Sequence, residues 1–190
     1  MSPAIGFRVK SGWAATALLD GPRGDPRLID VRRLELADPR TPGSYQPYHA
    51  STGTAQTNRA IIQRLVDLVL STTLRALRGL LEEYRASGAA PQRIALVVGS
   101  TTDPASISHP HMRAHASEGQ LFRHALAEAA RACDLAVTTT RERDLLDAAS
   151  AALGIPAVAL REQVTALGRG SSFPWRAEHK QAALAAWLLL

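Results

Sequence analysis

The chain has 190 residues, 46% of them hydrophobic and only 5% aromatic, enough apolar material for one sizeable core built on Leu, Ala, Val and Ile. Its formal charge of +5 permits contact with phosphate-bearing partners without requiring it, because many of its basic residues are arginines scattered along helical stretches. The single cysteine, Cys133, excludes an internal disulfide and any cysteine-rich zinc site.

"AIGFRVKSGWAATALLDGP" predicts two strands joined at Lys10-Ser11-Gly12, where Gly12 can take positive φ. After the turn cluster "GPRGDP", "RLIDVRRLELAD" reads as a third strand whose Leu28, Val31 and Leu34 alternate imperfectly. Residues 38–57 are rich in Pro, Gly, Ser, Thr and Gln and predict a long loop. From Asn58 to Ala86 the pattern is helical: Ile61, Leu65, Leu68, Leu77, Leu81 and Tyr84 recur at helical spacings, and Gly88 is placed to end the helix. "RIALVVGS" is a short apolar run of the kind that forms a strand buried on both faces. A helix from about Met112 to Ala132, a strand at "LAVTTT" and a helix over "RDLLDAASAALG" follow. The helical stretches "PAVALREQVTALG" and "RAEHKQAALAAWLLL" finish the chain. The closing apolar run is about half the ~20 residues a bilayer crossing takes. No secretory pattern opens the chain. A cytoplasmic protein of one domain, residues 1–190, is expected.

Three antiparallel strands followed by alternating helix–strand units predict an α/β mixed sheet with helices on its faces and extra C-terminal helices. That order resembles the ribonuclease H-like fold, in its resolvase-like branch. "SGWAATALL" is similar to the second strand of that branch, and "AALAAWLLL" to its alanine-rich closing helix. The block "VVGSTTDPASISHPHMRAHASEGQLFRHAL" is also similar to one in a family of small bacterial proteins, a likeness that implies no mechanism.

Nucleases of this fold use carboxylates to hold two divalent cations on the scissile phosphate, so the resemblance implies an acid in the first strand. Here "IGFRVK" puts Arg8 and Lys10 where that acid is wanted. "VVGSTTD" offers no acid before Asp103, and the last helix offers only Glu178. Cationic side chains repel Mg²⁺, so the expectation is the fold without its usual chemistry: a pseudonuclease.

The chemistry-bearing run is "HPHMRAHASEGQLFRH", residues 109–124, with four of the six histidines. On a helix His111, His115 and Glu118 stand at i, i+4 and i+7, and Phe122 continues the stripe. One reading is a divalent metal held by His111, His115 and Glu118, with His49, Asp103 or His109 as further donors from loops. A second reading drops the metal. Arg8, Lys10, Ser100, Arg113 and Arg123 then bind a phosphate near a helix start, while His115, oriented by Glu118, moves protons. The plainest reading is structural, with Glu118 paired to Arg113 or Arg123 and the charges at 141–144 a solvated helix entry. Two functions follow from these. One is a phosphoester hydrolase using His111, His115 and Glu118; the other is a non-catalytic module that holds a nucleotide, nucleic acid or protein partner.

Overall fold

A computed structural model describes residues 2–190. Its five-stranded sheet runs in the order β3-β2-β1-β6-β7, from β1 (Ala4–Val9), β2 (Trp13–Asp20), β3 (Arg27–Glu35), β6 (Arg93–Val98) and β7 (Ala136–Arg141). The β1–β2 and β2–β3 pairs are antiparallel, whereas β1–β6 and β6–β7 are parallel. Gly12 turns the chain from β1 to β2 with φ +83°, a conformation that costs a glycine little. The imperfect alternation of the third strand has a physical cause. Leu19 faces Leu28 while Leu18 faces Asp30, so Ile29 is the extra residue of a bulge and stands exposed.

Alternation along β1 divides the molecule into two layers. Ile5, Phe7 and Val9 enter the core beneath α1 (Arg59–Ala86) and α2 (Pro110–Arg131), together with Ile94, Leu96 and Val98 of β6. Ala4, Gly6 and Arg8 point the other way, toward α3 (Glu142–Leu153), α4 (Ala157–Leu167) and α5 (Ala177–Trp187). Asn58 caps α1 by accepting from the N–H groups of Ala60 and Ile61. Leu65, Leu77, Leu81 and Tyr84 of the predicted stripe are buried, whereas Ile61 and Leu68 are half-exposed.

The 38–57 segment contains a small hairpin, β4 (His49–Ser51) with β5 (Thr54–Ala55). Among the described residues no helix is long and apolar enough to cross a membrane.

Candidate functional site

Because β1 and β6 are parallel neighbours, with Arg8 opposite Val97, their carboxyl ends open on the same edge of the sheet. Ligands of open α/β sheets gather beyond that edge. A cavity of about 220 Å³ lies there, lined from β1 and its turn by Arg8 and Lys10, from the β6 end by Ser100, and from α2 by His115 and Arg123. Its charged lining residues are all cations among the described residues. The α2 contribution comes from the helix flank (His115, Ala116, Gly119, Arg123) rather than from its first turn. The loop after β6, with its one-turn 3-10 helix at Pro104–Ser106, places the start of α2 elsewhere. The free N–H groups of the helix start therefore do not line this cavity.

The cations differ in how free they are. Arg8 is buried beside α5: Nε donates to Gln181 Oε1 at 2.9 Å, Nη1 to its neighbour's carbonyl at Val9, and Nη2 pairs with Glu142. Gln181 also donates to Glu142, at 2.8 Å. That hydrogen bond and the charge of Arg8 hold the Glu142 carboxyl below its usual range, against the opposing effect of burial. Lys10 stands 3.7 Å from Glu178, a loose contact that leaves it available. Arg123 donates to the carbonyl of Ser100 at 2.7 Å and so ties α2 to the loop after β6. Partial burial lowers its pKa from the ordinary arginine value. Arg113 does not reach the cavity and instead donates to the carbonyl of Ser108.

Among the described residues no carboxylate lines this cavity. From β1 the cavity receives the Arg8 guanidinium, and Glu142 and Glu178 are turned toward Arg8 and Lys10. A cavity lined by Arg8, Lys10 and Arg123 and by no carboxylate does not fit a pair of Mg²⁺ ions, which want oxygen ligands.

Beside the cavity, α2 begins at Pro110, two residues earlier than periodicity suggests, so His111 lies inside the helix. Proline suits a first helical turn because its missing N–H would be unpaired there anyway. His111 and His115 then stand along one stripe, edge to face, with ring centroids 4.4 Å apart. Glu118, one turn on, is fully buried. It meets neither Arg113 nor Arg123. His49, delivered by the β4 hairpin, donates from Nδ1 to Glu118 Oε1 at 2.6 Å. His49 Nε2 lies 3.1 Å from His111 Nδ1, and His111 Nε2 lies 3.2 Å from His115 Nε2. Burial pushes the Glu118 carboxyl up, and the hydrogen bond from His49 pulls against that. His49, His111 and His115 each present a nitrogen within 4.8 Å of the others. Glu118 thus stands behind the imidazoles rather than beside them as an equal donor. Of the loop donors weighed from the sequence, Asp103 accepts from Ala105 N–H and His109 is the exposed residue preceding α2.

Glu142 and Gln181 escape sequence reading because the charges at 141–144 look like an ordinary helix entry. The usable signal is Arg8 itself: an arginine inside an apolar strand must find a carboxylate, and the carboxyl end of another parallel strand of the sheet, here β7, is where one can stand.

No protein-family model matches this chain, and no curated protein matches it. Among solved structures it is similar to T. thermophilus RuvC in complex with Holliday junction substrate, at 12% identity and a TM-score of 0.57. That match covers 99% of this chain and 92% of the other. The Thermus thermophilus RuvC structure matches at 12% identity and a TM-score of 0.55, covering 98% of this chain and 91% of that one. The fold is accordingly ribonuclease H-like, of the RuvC type, and at this identity the likeness speaks to fold alone.

Proposed function

We propose that this protein binds a phosphate group of nucleic acid in the cavity at the carboxyl ends of β1 and β6, without cutting by the two-metal route. The observation that carries the reading is the cationic lining, Arg8, Lys10 and Arg123 with the Ser100 loop between them. Size narrows the ligand. A cavity of about 220 Å³ is smaller than the roughly 300–1,000 Å³ that takes a whole small ligand. It suits one phosphate of a longer chain, whose remainder lies along the surface, better than an enclosed nucleotide. The RuvC structure described with a Holliday junction substrate supports nucleic acid as the class, since it shares this fold.

Within this reading Lys10, Arg123 and Ser100 hold the phosphate, and Arg8 contributes charge from behind while remaining tied to Glu142. Arg113 serves α2 rather than the ligand. His115 is the one histidine of the cluster that lines the cavity, so it is the candidate catalytic residue if the bound ester is also hydrolysed. His111 and Glu118 are positioning residues behind it.

Fluorescence anisotropy with single-stranded, duplex and four-way-junction DNA tests binding directly. Arg123→Ala should weaken it about tenfold, the weight of a charge-assisted hydrogen bond near 1.5 kcal/mol. The slope of log affinity against log salt should also fall by about one. Equal affinity of Arg123→Ala and parent at low salt would sink the proposal.

A separate result is expected from incubation with Mg²⁺ or Mn²⁺: none of the three DNA forms, nor RNA, is cleaved. Robust Mg²⁺-dependent cleavage that disappears in Glu178→Gln or Asp103→Asn would show that the missing acids had been misplaced.

A further inference from the structure

We infer that His49, His111 and His115 form a binding site for one zinc-type divalent cation, with Glu118 as the residue that positions the ligands. This departs from the donor set read from sequence: His49 takes the place of Glu118, and the carboxylate moves behind the imidazoles. Three observations carry it.

The first is distance. Nitrogens about 2.0–2.1 Å from a tetrahedral ion lie about 3.3 Å from one another. One nitrogen from each of His49, His111 and His115 lies within 4.8 Å of the other two. His111 meets its neighbours through different atoms, Nδ1 at 3.1 Å from His49 and Nε2 at 3.2 Å from His115, so a turn of the rings brings three nitrogens onto one ion. His49 and His115 both direct Nε2 toward His111.

The second is the carboxylate. Glu118 Oε1 accepts from His49 Nδ1, and in the neutral imidazole that tautomer leaves Nε2 as the ligating nitrogen. Its other oxygen, Oε2, is buried and has no hydrogen-bond partner among the described residues, yet lies 3.8 Å from Nδ1 of His115. A small rotation of the exposed His115 ring would give Oε2 its missing donor. One carboxylate would then orient two metal-ligating imidazoles through their far nitrogens, the usual outer arrangement of a histidine metal site.

The third is charge. Glu118 is fully buried, and neither nearby arginine turns toward it. Its charge partners are the imidazoles of His49 and His115, and a divalent ion a few ångströms away would supply that buried carboxylate with further positive charge.

Three imidazoles without a carboxylate in direct contact select zinc and its neighbours in the transition series over Mg²⁺ or Ca²⁺, which want oxygen ligands. A three-histidine set leaves a fourth position for water or an anionic oxygen. Because His115 also lines the cationic cavity, a phosphate oxygen bound there is the natural fourth ligand. That last step rests on the proposed function; metal binding itself does not.

The test uses the full chain, stripped of metal and titrated with Zn²⁺ by calorimetry and with Co²⁺ by visible absorption. One ion per chain is expected, with Co²⁺ showing the intense bands of a four-coordinate nitrogen-rich site. His115→Ala, at the exposed end of the cluster, and His49→Gln should both abolish that spectrum. Glu118→Gln keeps the acceptor and the volume, so it should melt close to the parent while binding Zn²⁺ about 10–100-fold more weakly. Should the parent bind neither ion better than His115→Ala, or should Glu118→Gln bind Zn²⁺ as the parent does, the inference is wrong. DNA binding by the metal-free protein and its Arg123→Ala variant is measured alongside. Loss of the zinc site with intact, Arg123-dependent DNA binding refutes this inference alone, and the converse refutes the proposed function alone.

Discussion

Replacing Gly6 by alanine should lower the melting temperature by about 6–20 °C, or prevent folding altogether. Gly6 lies on the face of β1 that receives α5, and the helix backbone comes down directly upon it. A Cβ built there would stand 1.8 Å from the carbonyl oxygen of Ala182, 2.7 Å from its carbonyl carbon and 2.9 Å from the backbone nitrogen of Ala186. No side chain can rotate away from that clash, because every opposing atom is main chain. The helix would have to lift from the sheet, separating Ala182, Ala183 and Ala186 from β1 and β2. Overpacking of this kind costs about 1–3 kcal/mol where side chains can adjust, and about 3–5 kcal/mol is a reasonable expectation where they cannot. For a chain of this length each kcal/mol moves the melting point by roughly 2–4 °C. Gly79, inside α1 with open space around its Cβ position, is the control: alanine there should raise stability by about 1 kcal/mol through helix propensity. Thermal melts of both variants beside the parent decide it. A Gly6→Ala protein that melts with the parent would mean that α5 does not rest on β1 as described.

The same packing explains why the fold is more legible in the sequence than the site is. Small residues in "AALAA" and Gly6 let helix and strand approach, and the apolar runs "AIGFRV" and "RIALVV" mark strands covered on both faces; such patterns are local and survive in a single sequence. Five sheet strands and five helices follow from them. The β4 hairpin is invisible because its strands hold only three and two residues and sit within a polar segment. The site depends on that hairpin. His49 and Glu118 are 69 positions apart and meet only because residues 38–55 fold back over α2. The spacing of His111, His115 and Glu118 correctly reports a shared helix face, but spacing alone cannot say which member of a stripe faces solvent and which is buried. Glu118, two turns in from the helix start and next to the core residue Phe122, lies on the buried side of it.

Arg8→Ala is expected to cost about 2–4 kcal/mol, the second large effect, and to change how stability responds to acid. Removing one partner of a buried ion pair costs about 3–5 kcal/mol when the other is left without solvent. Glu142 is 42% exposed and can recover some hydration, so the lower figure applies. The loss would also orphan Gln181 Oε1 and open space between β1 and α5. Glu142, held below its ordinary value of 4.5 by the Gln181 hydrogen bond and by Arg8, ties part of the stability to its ionisation. A depressed carboxylate contributes fully above its unfolded value and loses that contribution as pH falls from there through the folded value. The parent should therefore lose stability below about pH 4.5, and Arg8→Ala should show a shallower acid limb because its Glu142 has less to lose. Denaturation at pH 7 and at several points below pH 4.5, with Glu142→Gln and the double variant, isolates the pair. A coupling of about 1–2 kcal/mol at pH 7 that shrinks in acid is the expected pattern. A coupling near zero would mean that Arg8 is held by its other contacts and that Glu142 is free. The cavity would then have a carboxylate at hand where the present geometry leaves none, and the argument against a bound Mg²⁺ would weaken with it.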